Sequence, residues 1–281
     1  MARGGRTLRR WARGPAGRLA VPGLALLGVL AASGASGRWL VPQTAPHAAA
    51  SPVVPAVPTT EPSGPAPAQG QTPNYPLPST SSGAVTGQAR PVDGLLGWAT
   101  KMSPPVGVSP VALAAYGFAQ LSLAQSTPLC HLSWTTLAGI GKVESDHGTA
   151  NGAVLQPDGK VLPPIIGAAL DGQGGRKVIR DTDGGTLDGD RTYDHAVGPM
   201  QFLPSTWQQY RTDGDADGAQ DPNDINDAAL AAANYLCAGG RDLATPGGWW
   251  AGVLSYNAIQ TYAQNVFNAA NDYGQRSRTV T

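Results

Sequence analysis

A change of composition near residue 91 confines folding to the last two-thirds of this chain. All 17 aspartates lie beyond it, whereas 12 of the 25 prolines fall between residues 38 and 91, where Arg38, Glu61 and Arg90 are the only charges. A segment so rich in Pro, Ala, Ser and Thr cannot bury enough apolar surface to offset the entropy lost on ordering. Residues 38–91 therefore read as a disordered stalk, about 40 Å long as a coil and up to roughly 170 Å if polyproline-like. Residues 92–281 are one domain's worth of chain.

The first 37 residues have another character. Six arginines and no acid occupy the first eighteen, the apolar run 19–32 follows, and the small residues 33–37 offer cleavage sites, with Ala35 fitting as the last residue removed. That is the pattern of an export signal. An uncleaved membrane tether is the alternative, although Pro22 interrupts a run already at the short limit for crossing a bilayer. The protein is expected outside the cell, in the wall or on the outer face of the membrane, as a monomer. Without the signal, 13 basic residues (19 minus 6) face 19 acidic ones, a balance of −6, which argues against a nucleic-acid partner. Cys130 and Cys237 have no histidine or further cysteine at metal-ligand spacing, so in an exported chain they read as one disulfide. Two buried thiols are the alternative.

Helical signals dominate residues 92–281, and the expected architecture is mainly α. Ser109-Pro110 begins a pattern through residue 123, and Ser133 caps a helix that ends near Gly148. Pro204 opens a short helix through Trp207 and Tyr210. Asn226 or Asp227 caps an Ala-rich run to Cys237, and a last helix covers residues 259–271. The Gly/Asp-rich stretch 151–194 reads as a long irregular excursion with a short hairpin at 154–162 around Asp158-Gly159. A loop of that length in a compact domain is expected to wall a site.

Glu144 is the domain's one glutamate beside its 17 aspartates. Helical spacing puts Leu137, Ile140 and Glu144 at i, i+3 and i+7, so the carboxyl leans onto the apolar face. Burial there raises its pKa, as a general acid working near neutral pH requires. The bland reading is a solvated Glu near a helix end, paired with Lys142 or His147.

Four segments weigh against that bland reading. GKVESDHG (141–148) resembles the Glu-Ser motif of lytic transglycosylases, and AVGPMQFLPSTW (196–207) resembles their Gly-x-x-Gln-Phe motif. AAANYLCAGG (231–240) and SYNAIQTYAQNV (255–266) are similar, in order, to the family's Ala-rich Asn-Tyr-Leu helix and its Tyr-Asn motif. The resemblance covers residues 130–270 and is nearest the lytic transglycosylase B branch of actinobacterial secreted proteins. It implies a goose-type-lysozyme-like helical fold that holds a peptidoglycan glycan strand. It also implies cleavage of the β-1,4 bond between N-acetylmuramic acid and N-acetylglucosamine, with a 1,6-anhydro end and no cofactor for the chemistry. By motif position Glu144 is the catalytic acid/base, while Ser145, Met200, Gln201, Phe202, Tyr256 and Asn257 meet the substrate; Tyr193, just upstream of the Gln motif, is a further candidate. Read without the motif, Ser145 is equally a structural serine, and Met200 and Phe202 are core residues. The usual glycosidase pair of carboxylates is not required, which makes chemical sense of a lone Glu.

A second constellation is Asp213, Asp215, Asp217, Gly218, Ala219, Asp221 and Asp224, at positions 1, 3, 5, 6, 7, 9 and 12 of a calcium loop. Asp224 stands where a bidentate Glu is usual. Structural calcium is one expectation and a solvated Asp/Gly turn the other. Asp171, Asp181, Asp183, Asp188, Asp190 and Asp194 accumulate in the excursion; should one of them position a water, the outcome becomes lysozyme-type hydrolysis. A non-catalytic wall-binding module is the remaining alternative.

Overall fold

The structure, a computed structural model, describes residues 64–74 and 90–280. The expectations for residues 1–37, and for the linker at 38–63 and 75–89, lie outside the described residues. Among those described, seven α-helices carry the fold: α1 (Leu96–Val106), α2 (Pro110–Ser126), α3 (Trp134–Ser145), α4 (Pro204–Tyr210), α5 (Ile225–Cys237), α6 (Pro246–Tyr256) and α7 (Gln260–Ser277). The chain is mainly helical, as its sequence implies. The strands β1 (Val154–Leu155) and β2 (Val161–Leu162) form an antiparallel hairpin that pairs Val154 with Leu162 and Leu155 with Val161. No single described helix is long and apolar enough to cross a membrane.

Local chemistry explains where the helices start. The Ser109 side chain accepts the Ala112 N–H at the head of α2, and Ser133 accepts the Thr135 N–H at the head of α3, each satisfying a donor that a helix start leaves unpaired. The cap of α5 is Asp224, whose carboxylate accepts the Asn226 N–H. This corrects the expected cap at Asn226 or Asp227, both of which are buried in the first turn. Two helices go against propensity, since α1 carries Pro104-Pro105 in its last turn and α6, although capped by Thr245, opens on Pro246-Gly247-Gly248. Burial of Ala99, Met102 and Val106 in one, and of Trp249, Trp250 and Val253 in the other, supplies the stability that propensity withholds.

Helix α2 packs against α1, α3 and α5, while α3 and α7 lie along one another. The α3–α7 approach depends on Gly139, where a Cβ would stand 2.8 Å from the Val266 carbonyl oxygen. Cys130 and Cys237 are disulfide-bonded with Cα atoms 5.4 Å apart, tying the segment before α3 to the end of α5.

The expected stalk is corrected at two places. Residues 64–74 lie on the folded body, with Ala68 N–H donating to Asn271 Oδ1 at 3.1 Å and Trp134 Nε1 donating to the Gln71 carbonyl at 3.0 Å. Arg90 also belongs to the body, through Asp93 at 2.8 Å and the buried Asp215 at 3.5 Å. Composition misleads here because these residues contribute backbone groups to a surface that other residues have already built.

The disulfide spans a sequence separation of 107 residues. Chain-entropy reasoning assigns such a crosslink about 4–5 kcal/mol, an upper figure because the denatured chain is not a random coil. Cys237→Ser is therefore expected to lower the Tm by roughly 10 °C in scanning calorimetry, and the unreduced, denatured wild type should titrate no thiols. An unchanged Tm would refute the account.

Candidate active site

Glu144 is the penultimate residue of α3. The helix ends abruptly after it, with Asp146 and His147 at φ 52° and 59°, values that non-glycine residues seldom adopt. Two tyrosines hold this break. His147 Nδ1 lies 3.1 Å from the Tyr116 hydroxyl, and Nε2 lies 3.0 Å from that of Tyr273. Burial pulls the His147 imidazole down to about 4, so the ring is neutral near pH 7. Lys142 pairs with Asp146 at 2.5 Å. Both neighbours that might have neutralised Glu144 are thus engaged elsewhere.

The partner of Glu144 is Tyr262, on the first turn of α7, whose hydroxyl donates to Oε1 at 2.6 Å. Burial raises the Glu144 carboxyl to about 7 against the smaller downward effect of that hydrogen bond. Near neutral pH the group is divided between acid and carboxylate, which suits a side chain that must first give a proton and then take one. Tyr262 lies inside the SYNAIQTYAQNV segment but was not singled out there. Its signal is the buried stripe Tyr262, Val266, Ala270, Tyr273 and Ser277 along α7.

The turn carrying Gln201 is fastened by two helices. Ser145 Oγ donates to the Pro199 carbonyl at 2.6 Å and accepts the Gly148 N–H at 2.8 Å. The Tyr256 hydroxyl, at the end of α6, donates to the Met200 carbonyl at 2.7 Å. Three expected substrate contacts are corrected by this geometry. Ser145 is 2% exposed, and its hydroxyl is spent on holding the turn; Met200 at 0% and Phe202 at 3% exposure are core residues, with Phe202 edge-on to Trp207 and Tyr256. Gln201 is half-buried at φ 49°, and its Nε2 donates to the Gly198 carbonyl at 2.9 Å. Tyr256 feels the Glu144 carboxylate, which adds to burial in raising its pKa. Asn257 sits at the α6–α7 junction, where Oδ1 accepts the Ile259 N–H at 3.3 Å. Tyr193 lies beneath the Arg180 guanidinium at 4.6 Å and, among the described residues, shares no hydrogen bond with the Glu144 group.

Residues 186–251 match the family model of the transglycosylase SLT domain. The solved structure of the Escherichia coli lytic transglycosylase SLT35 in complex with bulgecin A is similar at 14% identity and a TM-score of 0.38, covering 65% of this chain and 79% of that chain. No curated protein matches. The SLT match takes in the Gln turn, α4, α5 and half of α6, while Glu144 and Tyr262 lie on either side of it in sequence.

The SLT stretch also holds the acidic loop. Asp213, Asp215 and Asp227 offer oxygens within 4.8 Å of one another, as do Asp215, Asp217 and Asp224. Asp227 was not in the expected ligand set; Asp221 was, but it is in neither group, and its Oδ1 accepts the Asn223 N–H at 2.8 Å. Asp215, Asp224 and Asp227 are all buried, and burial raises their pKa values, to about 6 for Asp224 and about 7 for Asp227. An all-oxygen donor set of this kind fits a hard cation.

The burial of Glu144 has a measurable thermodynamic sign. Its folded pKa of about 7 lies above its ordinary 4.5, so between those values the folded chain keeps a proton that the unfolded chain has released, and stability falls as pH rises across the window. Glu144→Gln removes the titration and keeps an oxygen for Tyr262. The variant is expected to be more stable than wild type at pH 8 by on the order of 1–3 kcal/mol and equal to it near pH 4, as read by chemical denaturation. Equal stabilities at both pH values would contradict the burial argument.

Proposed function

We propose that this chain is an exported lytic transglycosylase that cleaves peptidoglycan glycan strands between N-acetylmuramic acid and N-acetylglucosamine. The observation that carries the reading is Glu144: a half-buried acid raised to about 7 by burial, held by Tyr262 at one oxygen, beside the Gln turn of an SLT domain. In the proposed reaction the protonated Glu144 gives its proton to the glycosidic oxygen as the bond from that oxygen to the muramic acid C1 breaks. The resulting carboxylate takes the proton of the same sugar's C6 hydroxyl, and O6 bonds to C1. The strand ends in a 1,6-anhydro ring, the N-acetylglucosamine leaves with a free 4-hydroxyl, and Glu144 is protonated again. No water is consumed and no cofactor enters. Gln201 is the proposed sugar anchor, and Tyr262 the residue that orients the acid.

The state of the excursion's aspartates supports the single-acid reading over hydrolysis. Asp181 accepts the N–H groups of Asp183, Gly184 and Gly185. Asp190 accepts that of Thr192, and Asp194 binds Thr182 through both carboxylate oxygens. These carboxylates build the loop itself. We further propose that Asp213, Asp215, Asp217, Asp224 and Asp227 hold a structural calcium ion, which would screen the buried Asp215, Asp224 and Asp227; Arg90 reaches Asp215 at 3.5 Å, and Lys160 reaches the exposed Asp217 at 3.7 Å.

Two measurements test these readings. Muropeptides released from purified wall should carry 1,6-anhydro ends by mass spectrometry, Glu144→Gln should release none, and wild-type turnover should decline as pH rises above about 7, where the acid form is lost. Reducing ends would show a hydrolase instead. Separately, millimolar calcium should raise the Tm of the chelator-treated protein by several degrees, through preferential binding to the folded state, and Asp215→Asn should abolish the effect. A Tm indifferent to calcium would remove the ion.

A further inference from the structure

Residues 64–74 cross the end of the body remote from Glu144, where Trp134 opens α3 about 15 Å along the helix from the acid. Within this strap, the groups that bind its backbone are all side chains. Trp250 Nε1 donates to the Gly64 carbonyl at 3.2 Å, Trp134 Nε1 to that of Gln71 at 3.0 Å, and Arg278 to that of Gln69 at 3.2 Å. In the other direction, Ala68, Gly70 and Gln71 donate their N–H groups to Asn271 Oδ1, Ser133 Oγ and Ser277 Oγ. Pro67 and Pro73, which have no N–H to leave unpaired, are buried, and Pro73 and Trp98 both lie over Gly117, within 3.1 Å of where its Cβ would stand.

Clearance is provided from both sides. A Cβ on Gly70 would come within 2.5 Å of the Trp134 ring, and a Cβ on Gly274 would come within 3.0 Å of the Ala68 side chain and nearer still to its carbonyl. Glycine weakens a helix interior, so its place in α7 suits a surface shaped for a second backbone to cross. Indole donors aimed at carbonyls, beside buried prolines, are how aromatic-lined grooves of folded domains hold proline-rich peptides.

We propose that this end of the body is a docking groove for a proline- and glycine-rich peptide, whose occupant is residues 64–74 of the same chain, held as an exchangeable ligand. The body is then tethered at Gly64, and the Glu144 end stays open to substrate. The inference is independent of the reaction proposed above.

The test uses the full chain with a protease site placed between Thr80 and Ser81 and cut after folding. The released N-terminal fragment should stay with the body on gel filtration, and the amides of Ala68, Gly70 and Gln71 should exchange at least about tenfold slower than in the free peptide. Excess synthetic peptide of sequence 64–74 should displace the fragment, while the same peptide with Gly70→Val should not. A fragment that leaves without competitor, that neither peptide displaces, or that both displace equally overturns the proposal. In the uncut chain, Gly274→Ala should abolish the protection of those three amides while circular dichroism reports a folded body; persisting protection would count against the groove as well.

Discussion

Gly139 presents no side chain to hold α7 away from α3, and the two helices therefore run in contact from Glu144 and Tyr262 at one end to Ser133 and Ser277 at the other. Everything distinctive about the acid follows from that approach. The apolar stripe of α7 removes Glu144 from water, which raises its pKa, and the tyrosine at the head of the stripe supplies the one side-chain hydrogen bond that orients it among the described residues. The same pairing brings Ser133 and Ser277 together at the far end, where both receive the strap. A single close helix contact thus positions a buried carboxyl at one end and the hydroxyls that meet residues 70 and 71 at the other.

The Gln turn shows how a short motif encodes shape as much as contact. Gly198 is required because a Cβ there would run into the Pro222 carbonyl, so the turn is wedged against the acidic loop. Met200 and Phe202 anchor it in the core, while Ser145 and Tyr256 hold its carbonyls. Only Gln201, at an unfavourable φ, is left half-exposed. Most of the motif's residues therefore serve the placement of one side chain, and the acidic loop bears on the same turn from behind. The strap follows a similar logic, since a composition that cannot form a core is still well suited to lie on one.

Much was determined by the sequence alone, through signals that act within a turn or two of chain. Ser109, Ser133 and Pro204 set helix starts because caps and a proline's fixed φ work locally. Asp158-Gly159 set a hairpin, and two cysteines with no metal-binding company implied their own pairing. A lone glutamate on an apolar helix face implied a buried carboxyl with a raised pKa, and burial raises it to about 7. What only the tertiary structure decided involves partners far apart in the chain. Tyr262 reaches Glu144 across 118 residues; Asp227 displaces Asp221 from the acidic cluster; Ser145, Met200 and Phe202 turn inward; and residues 64–74 find a surface made by helices beyond residue 90. None of these is encoded in a local pattern, because each depends on which faces meet once the helices pack, and packing is a property of the whole set of side chains.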